Sequence, residues 1–152
     1  MDFMKEALIE AKKAFDIGEV PIGAVVVHNG KIIGRGHNRR ECDKNALFHA
    51  EIIAINEACK NLGGWRLPDS EIYVTLEPCP MCMGAIISAR IDKLYFGAFD
   101  EKSGACGSVT DLSGVLPHKV SVTSGVLEEE CSSIIKSFFK KLRDSKNTRG
   151  EI

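Results

Sequence analysis

Two short motifs that lie about thirty residues apart constrain the fold more than any other feature of this sequence. They are His49-Ala50-Glu51 and Pro78-Cys79-Pro80-Met81-Cys82. An imidazole and two thiols can bind zinc, and a catalytic zinc site has three protein ligands and keeps one position for water. His49, Cys79 and Cys82 make up such a set. The motifs therefore predict a hydrolytic zinc site, and they require a fold that brings the two segments together.

Glu51 follows the histidine by two residues, which is about 200° around a helix. In the middle of a helix the two side chains would point away from each other, so we expect His49 at or just before the first turn. Both side chains can then reach one cleft. Zinc lowers the pKa of a bound water to about 7, and Glu51 would take the proton of that water and pass it to a substrate.

The two cysteines are expected on a second helix. Residues three apart lie on neighbouring faces of a helix, so Cys79 and Cys82 can hold one ion. Pro80 is favoured at the first position of a helix, and the positive end of the helix dipole stabilises thiolates. The preceding strand delivers Cys79 at its carboxyl end, where α/β proteins place their ligands.

Two other interpretations of the motifs stay open. A C-x-x-C pair can be a redox dithiol. A structural zinc site would need a fourth ligand and would leave Glu51 without a role; the candidates are another histidine, Cys42, Cys59, Cys106 and Cys131. The order H-x-E followed by P-C-x-x-C is nevertheless the signature of the zinc nucleobase deaminases, which favours the catalytic interpretation.

Length and composition bound the class of protein. A chain of 152 residues predicts one domain over residues 1–152. We see no signal peptide and no apolar run that approaches the roughly 20 residues of a membrane span. The six cysteines therefore predict reduced thiols in a cytoplasmic protein. A net charge of −1 argues neither for nor against a nucleic acid partner.

Hydrophobic periodicity predicts an α/β protein in which helices and strands alternate. The helices are expected over residues 2–16, 49–61, 81–89 and 128–142, and the strands over 22–27, 31–36, 71–76, 93–99 and 119–124. Asn29-Gly30 predicts a tight hairpin turn, and Asp100–Ser108 a glycine-rich loop. Residues past about 145 are expected to fray.

Several side chains have two interpretations from sequence alone. On the helix that follows His49, the residues expected to face the sheet are Ile52, Ile53, Ile55, Ala58 and Leu62. Gly34 and Gly36 indicate close approach to another element or to a ligand. Asn38 could read a base edge or be an ordinary turn residue. His37 is expected at the rim and not as a ligand. Trp65 could stack a base, but it is expected to cover the core.

The last helix ends in a basic segment that contains Phe138-Phe139. Basic residues interleaved with aromatic ones suit a single-stranded nucleic acid, whereas the alternative is a solvated helix end with one core phenylalanine. The basic residues are Lys136, Lys140, Lys141, Arg143, Lys146 and Arg149.

With these elements aligned, the chain resembles the bacterial tRNA-specific adenosine deaminases of the cytidine-deaminase-like superfamily, over about residues 2–145. The resemblance rests on the segments Glu19–Ala24, Gly36–Asn38, His49–Glu51, Tyr73–Cys82, Gly104–Ser108 and Ser137–Phe139. The zinc motif is shared by the whole superfamily, whereas the Gly104–Ser108 loop and the Phe-Phe pair are typical of the tRNA branch.

The resemblance implies a three-layer α/β/α fold around a mixed five-stranded sheet, a homodimer, and conversion of the wobble adenosine of a tRNA anticodon to inosine. It also implies that His49, Cys79 and Cys82 bind zinc and that Glu51 transfers protons. Asn38 would contact the base, and Ile22 would form the pocket wall. The residues that would line the path of the anticodon loop are Asp100, Lys102, Phe139 and Arg143.

The chain differs from the family pattern in Leu47-Phe48 and Phe99, which are expected near the pocket rim. Two rival functions follow. A deaminase of a free purine, nucleoside or related heterocycle would use the same four site residues without needing the basic segment. A zinc-stabilised RNA-binding module would bind RNA without releasing ammonia, and its zinc would have four protein ligands.

Overall fold

The computed structural model describes residues 1–148, and the side chains as far as Lys146. Helices and strands follow one another in the order α1 (Phe3–Asp16), β1 (Gly23–His28), β2 (Lys31–His37), α2 (Ala50–Leu62), β3 (Ser70–Leu76), α3 (Pro80–Ser88), β4 (Lys93–Ala98), β5 (Ser121–Thr123) and α4 (Glu128–Thr148). The α/β class and the order of elements predicted from sequence are confirmed, with most boundaries within two residues. No helix in the described part of the chain is both long and apolar enough to span a bilayer.

The five strands form one mixed sheet in the order β2-β1-β3-β4-β5. β1 pairs with β2 and with β3 in antiparallel fashion, whereas β3–β4 and β4–β5 are parallel. The parallel pairs need crossover connections, and α3 supplies the first of them. The carboxyl ends of β3 and β4 consequently lie side by side, each followed by a loop.

The β1–β2 hairpin closes at Asn29-Gly30, as predicted. Both residues have positive φ angles, 50° for Asn29 and 76° for Gly30, which is the backbone of a type I′ turn. His28 pairs with Lys31 across the turn, and a bulge follows between Val26 and Val27. The hairpin turn lies at the end of the sheet opposite the carboxyl end of β3, because β1 is antiparallel to β3.

Helices cover both faces of the sheet, which confirms the three-layer α/β/α architecture. One buried cluster joins α1 and α4 to the sheet through Met4, Ala7, Val25, Val27 and Cys131. The other lies beneath α2 and α3 and includes Val26, Ala54, Val74, Met83 and Ile86. Alternate residues of β1 therefore enter different clusters, as the two-residue period of a strand requires.

The face that α2 turns to the sheet agrees with the sequence prediction at Ala58 and in part at Ile55, which packs against the same core, and differs at the other predicted residues. Its buried residues are Ala50, Glu51, Ala54 and Ala58, whereas Ile52, Ile53 and Ile55 are half-buried and Leu62 is exposed. The reason is the close approach of α2 to β2. A Cβ atom at Gly34 would lie 2.1 Å from the carbonyl oxygen of Ala54, so only small side chains fit between the helix and the strand.

Two further predictions are corrected. Trp65 does not cover the core: it is 57% exposed, and the guanidinium groups of Arg66 and Arg90 lie 4.6 Å and 5.6 Å from the centre of its ring system. The last helix continues to Thr148 instead of ending near Leu142, and the fraying expected past about residue 145 stays a prediction. Arg149 and the rest of the predicted tail lie outside the described residues.

Candidate active site

Two helix starts and two strand ends converge at one edge of the sheet. His49 is the N-cap residue of α2, with extended backbone angles, φ −75° and ψ 155°, as the spacing of His49 and Glu51 predicted. Cys79 is the N-cap of α3, and Pro80 occupies the first turn of that helix. The His49 side chain makes no capping hydrogen bond to α2, so the imidazole is available to the thiol of Cys79.

His49, Cys79 and Cys82 form a compact cluster whose ligand atoms all lie within 4.8 Å of one another. The Nδ1 atom of His49 is 3.6 Å from Sγ of Cys79 and 3.5 Å from Sγ of Cys82. A tetrahedral zinc ion with usual bond lengths separates its nitrogen and sulfur ligands by about 3.5–3.6 Å. The two nitrogen–sulfur distances therefore fit a zinc ion.

The presence or absence of a fourth protein ligand distinguishes a structural zinc site from a catalytic one. Among the residues that the structure describes, no other histidine, cysteine or carboxylate joins these three as a fourth ligand. The four other cysteines that the sequence offered as a fourth ligand are free and lie elsewhere. Three protein ligands leave one coordination position for water.

Glu51 is buried in the first turn of α2, with 4% of its surface exposed. Removal from water disfavours the charged carboxylate, and this burial raises the pKa of Glu51 to about 7. A carboxyl group with such a pKa can both accept and donate a proton at neutral pH.

The hydrogen bond between the thiols of Cys79 and Cys82 shifts their pKa values in opposite directions. Donation from Cys82, with help from His49, lowers the pKa of Cys79 to about 4. The same bond and the burial of Cys82 raise the pKa of that second thiol. The hydrogen bond to Cys79 in turn raises the pKa of His49.

A cavity of about 730 Å³ opens beside the cluster. Among its lining residues are eight of the ten residues singled out from sequence: Ile22, Asn38, His49, Glu51, Cys79, Asp100, Lys102 and Phe139. Cys82 is fully buried behind Cys79. Arg143 is the one predicted contact residue that lies apart: it borders an adjoining groove together with Lys102, Lys136 and Phe139.

The Phe138-Phe139 pair divides between the two roles that the sequence left open. Phe138 is half-buried and meets Phe15 of α1 edge-on, at 5.9 Å between ring centres. Phe139 is exposed and borders both the cavity and the groove. Phe138 thus packs against α1, and Phe139 faces the space where a ligand would lie.

Asn38 is the only buried side chain of the described residues whose polar oxygen has no hydrogen-bond partner. It is 5% exposed, and its backbone N–H bonds to the carbonyl oxygen of Ile22. A buried amide oxygen without a partner is costly unless a ligand supplies a donor. The Oδ1 atom of Asn38 is therefore free to accept a hydrogen bond from a ligand in the cavity.

Sequence reasoning missed Ser132 and Ile135, which line the cavity from α4 together with Lys136 and with Phe139 one turn further on. Counted from Ser132, the other three follow after three, four and seven residues, so all four lie on one face of the helix. Once Phe139 had been selected, this periodicity could have identified the others. Sequence reasoning also missed Glu77, a buried carboxylate at the end of β3 that lines the cavity.

Glu77 fastens the Asp100–Ser108 loop. Its carboxylate accepts hydrogen bonds from the backbone N–H groups of Asp100 (3.1 Å), Cys106 (3.0 Å) and Ser108 (3.1 Å), and from the Ser108 hydroxyl. Burial would raise the pKa of Glu77, but these donors outweigh it and lower the pKa below its usual value.

Glu19 fastens the segment on the other side of the cavity in the same way. It accepts hydrogen bonds from the backbone N–H groups of Glu41 (3.2 Å) and Cys42 (2.7 Å), and from the Cys42 thiol (3.0 Å). Burial opposes ionisation here too, yet the hydrogen bonds from Cys42 and Glu41 lower the pKa of Glu19.

One of the three residues that depart from the family pattern lies at the cavity. Phe99 lines it and meets Phe96 edge-on, at 5.2 Å between ring centres. Leu47 is exposed and Phe48 half-buried, but neither contributes to the lining. His37 is no part of the metal cluster; its Nδ1 atom lies 3.2 Å from Glu10.

The chain is similar to proteins of known activity. Residues 1–143 match the family model of the MafB19-like deaminases. A tRNA-specific adenosine deaminase of Bacillus subtilis (strain 168) is 53% identical over 146 residues, which cover 95% of this chain and 91% of that protein.

Solved structures agree. A structure from a study of A-to-I editing by tRNA:A34 deaminases matches with a TM-score of 0.81 and 45% identity, over 87% of this chain and 97% of the other. A guanine deaminase from Bacillus subtilis matches with a TM-score of 0.62 and 31% identity, over 77% and 88%. This chain belongs to the MafB19-like deaminase family, and within it to the group of the tRNA-specific adenosine deaminases.

Proposed function

We propose that this protein is a zinc-dependent hydrolase that converts the wobble adenosine of a tRNA anticodon to inosine and releases ammonia. The observation that carries the proposal is the His49–Cys79–Cys82 cluster with Glu51 beside it at one cavity, in a chain 53% identical to a tRNA-specific adenosine deaminase. The reaction replaces the amino group at C6 of adenine with oxygen, and its other reactant is water.

His49, Cys79 and Cys82 would hold the zinc ion. When bound, zinc supplies a water whose pKa is near 7, so that hydroxide is available at neutral pH. The fit of the nitrogen–sulfur distances, 3.5 Å and 3.6 Å, supports this assignment, as does a donor set of one imidazole and two thiols.

Glu51 is the proton carrier of the proposal. Deamination needs one proton on the purine ring nitrogen next to C6 and another on the departing amine. Because burial raises the pKa of Glu51 to about 7, the group can accept a proton from water and deliver it to either nitrogen.

The cavity would receive a base that has been turned out of its stack. An anticodon loop already presents unstacked bases, which lowers the cost of entry. Asn38 would bond to the edge of the base and Ile22 would contact its face. Asp100, Lys102, Phe139 and Arg143 would contact the flanking nucleotides, and their position around the cavity and the adjoining groove supports this.

The proposal includes a single catalytic domain over residues 1–152, a homodimer and a cytoplasmic location. The half-buried isoleucines Ile52, Ile53 and Ile55 of α2 offer an apolar surface that a second copy could cover. Sedimentation of the purified protein would test the dimer. The cytoplasm is where tRNA and reduced thiols occur together.

The decisive experiment measures ammonia release from an anticodon stem-loop with adenosine at the wobble position, beside adenosine, adenine, guanine and cytosine. We expect turnover of the stem-loop by the wild-type protein with one zinc per chain. Glu51→Gln should keep its zinc and lose about 10²–10⁴-fold in kcat. A Glu51→Gln variant with most of its activity would show that another group carries the proton.

The second candidate is a deaminase of a free purine, and the likeness to a guanine deaminase favours it. The same assay distinguishes the two functions. Efficient release of ammonia from guanine or adenine, with none from the stem-loop, would establish the small-molecule activity. Zinc-dependent binding of the stem-loop without ammonia from any substrate would instead establish an RNA-binding module.

A further inference from the structure

The Asp100–Ser108 loop forms one wall of the cavity, yet it contains no helix or strand of its own. Asp100, Lys102 and Ser103 of this loop line the cavity. Within the loop, the Asp100 carboxylate accepts the N–H groups of Lys102 (3.0 Å) and Ser103 (3.1 Å). These local bonds shape the turn but do not attach it to the sheet. The N–H of Ala105 attaches the loop once, through the carbonyl oxygen of Pro78 (2.8 Å), and the remaining attachment comes from a side chain.

Glu77 provides that attachment. It is 2% exposed and follows directly on β3, which lies within the sheet between β1 and β4. Its Oε1 atom accepts from the N–H of Asp100 and the hydroxyl of Ser108, and its Oε2 atom accepts from the N–H groups of Cys106 and Ser108. One rigid side chain thereby holds the start and the end of the loop.

The fit is close on the loop side as well. A Cβ atom at Gly104 would lie 2.4 Å from both Cδ and Oε2 of Glu77, and 2.5 Å from the carbonyl oxygen of Asp100. Only glycine permits the loop to close over the carboxylate. Glu77, Gly104 and Ser108 are therefore one matched set, although 27 residues separate the first from the second in the sequence.

The same hydrogen bonds exclude Glu77 from acid–base chemistry. An ionised carboxylate has about four positions that can accept a hydrogen bond, and four donors already occupy those of Glu77. Although its side chain borders the cavity, it has no capacity left for a substrate. Its influence on the reaction must pass through the loop.

We propose that Glu77 is a positioning residue that sets the Asp100–Ser108 loop for binding the nucleotides next to the target base, and so favours a polynucleotide over a free base. The loop segment carries Lys102 to the border that the cavity shares with the groove of α4. This inference rests on the proposed function, because only a polynucleotide has flanking nucleotides to reach that border.

The test uses Glu77→Gln in the zinc-loaded protein. An amide has one donor end and one acceptor end. If the NH₂ group of the variant side chain takes the place of Oε2, it faces the backbone N–H groups of Cys106 and Ser108, and donor meets donor twice. If it takes the place of Oε1, it faces only the N–H of Asp100 in this way, because the Ser108 hydroxyl can turn and accept a hydrogen bond. The second orientation is favoured, so Glu77→Gln should release the amide of Asp100 and keep those of Cys106 and Ser108.

We expect hydrogen exchange at the Asp100 amide to accelerate at least about tenfold, and exchange at Cys106 and Ser108 to change less than about threefold. The KM for the anticodon stem-loop should rise about tenfold while kcat stays within about twofold. Zinc content should remain one per chain. Asp111→Asn is the matched control: it removes the same charge from an exposed carboxylate that bonds only to Ser113, and it should change none of these quantities.

Gly104→Ala tests the same contact from the loop side and serves if Glu77→Gln fails to fold. It should raise the KM for the stem-loop without loss of zinc. Unchanged exchange at Asp100, an unchanged KM, or loss of zinc together with activity in Glu77→Gln would overturn the inference. If the wild-type protein does not turn over the stem-loop, the proposed function fails, whereas the exchange measurement needs no substrate and still decides whether Glu77 holds the loop.

Discussion

Buried glutamates in this protein behave differently according to the donors around them. Glu51, Glu19 and Glu77 are all at most 4% exposed, so burial raises the pKa of each. Glu51 has too few donors to offset burial, and its pKa rises to about 7. Glu19 and Glu77 each accept three or four hydrogen bonds, which lower their pKa values. Glu51 can therefore exchange protons, whereas Glu19 and Glu77 stay ionised and hold loops in place.

The sequence distinguished these roles only in part. Glu51 was identified because two residues separate it from a metal-ligand histidine. Glu77 stands directly before Pro78-Cys79 and carries no comparable signal, because its four donors come from a loop more than twenty residues away. Long-range hydrogen bonds of this kind leave no pattern in the local sequence.

Asn38 permits a prediction that separates stability from function. Its buried Oδ1 atom has no partner among the described residues, so its burial lowers the stability of the free protein. Asn38→Ala should therefore leave the melting temperature unchanged or higher. The same variant should lose about tenfold or more in kcat/KM for the stem-loop, because a hydrogen bond to the base is lost.

Differential scanning calorimetry and steady-state kinetics on the same samples would check this. Asn45→Ala is a suitable control, since Asn45 lies on the neighbouring loop and accepts the N–H of Leu47. A fall in melting temperature of Asn38→Ala with unchanged kinetics would make Asn38 an ordinary structural residue.

At the scale of elements, the strands and the hairpin followed from local patterns, whereas the face of α2 did not. The periodicity of Ile52, Ile53 and Ile55 predicted an aliphatic face toward the sheet. The structure buries alanines there and leaves Ile55 only partly buried against the same core, since Gly34 and Gly36 of β2 let the two backbones approach closely. The pair of glycines was noticed in the sequence, but nothing local to β2 reveals which element comes close.

The contact of α2 with β2 also sets the position of the metal site. A Cβ atom at Gly36 would lie 2.3 Å from the carbonyl oxygen of Ala50, in the first turn of α2 and next to His49. We expect Gly36→Ala to destabilise the protein by about 2–4 kcal/mol and to weaken zinc binding, because the first turn must move.

Urea unfolding and zinc titration with a chromophoric chelator would measure the two effects. Gly64→Ala provides the control, since a Cβ atom there meets nothing within 4 Å. Equal stability and equal zinc affinity for Gly36→Ala and Gly64→Ala would contradict the proposed coupling between β2 and the site.

At the scale of the whole molecule, a net charge of −1 conceals a local basic surface. Lys102, Lys136, Arg143 and Lys146 border the groove beside the cavity, while acidic residues open α4 at its far end. Overall charge therefore gave no indication of a nucleic acid partner. The basic segment of the last helix did, and the structure places Lys102 beside it.

Neutralising this surface should change how binding depends on salt. We expect Lys136→Gln and Arg143→Gln each to reduce the magnitude of the slope of log K against log salt for the stem-loop by about 0.7, the value for one lost contact to a single-stranded phosphate. Fluorescence anisotropy from 50 to 300 mM salt would measure it. Lys31→Gln, at the exposed hairpin turn on the opposite end of the sheet, should leave the slope unchanged.

Acid stability should depend on the buried anions. The pKa of Glu19 is lower in the folded protein than its value of about 4.3 in an unfolded chain. Its contribution is then fully present above the unfolded pKa and is lost as the pH falls through the folded pKa. Glu19→Gln should cost about 1–2 kcal/mol at pH 7 and flatten the loss of stability below about pH 5.

Urea unfolding at several pH values between 3 and 7 would show this difference. Asp16→Asn is the control, since Asp16 is exposed and pairs only with Lys12. Parallel stability curves for Glu19→Gln and the wild-type protein would mean that the Glu19 carboxylate has no net role in stability.

The capping positions of His49 and Cys79 have a consequence for the life of the protein in the cell. Each of these residues is the boundary between a loop and the first turn of a helix. A single bound ion would therefore connect the N-termini of α2 and α3. A chain that has lost its metal would open at both places together and expose cleavable peptide bonds there. Proteases that sample such openings would then clear empty chains selectively, and the cellular pool would consist of loaded enzyme.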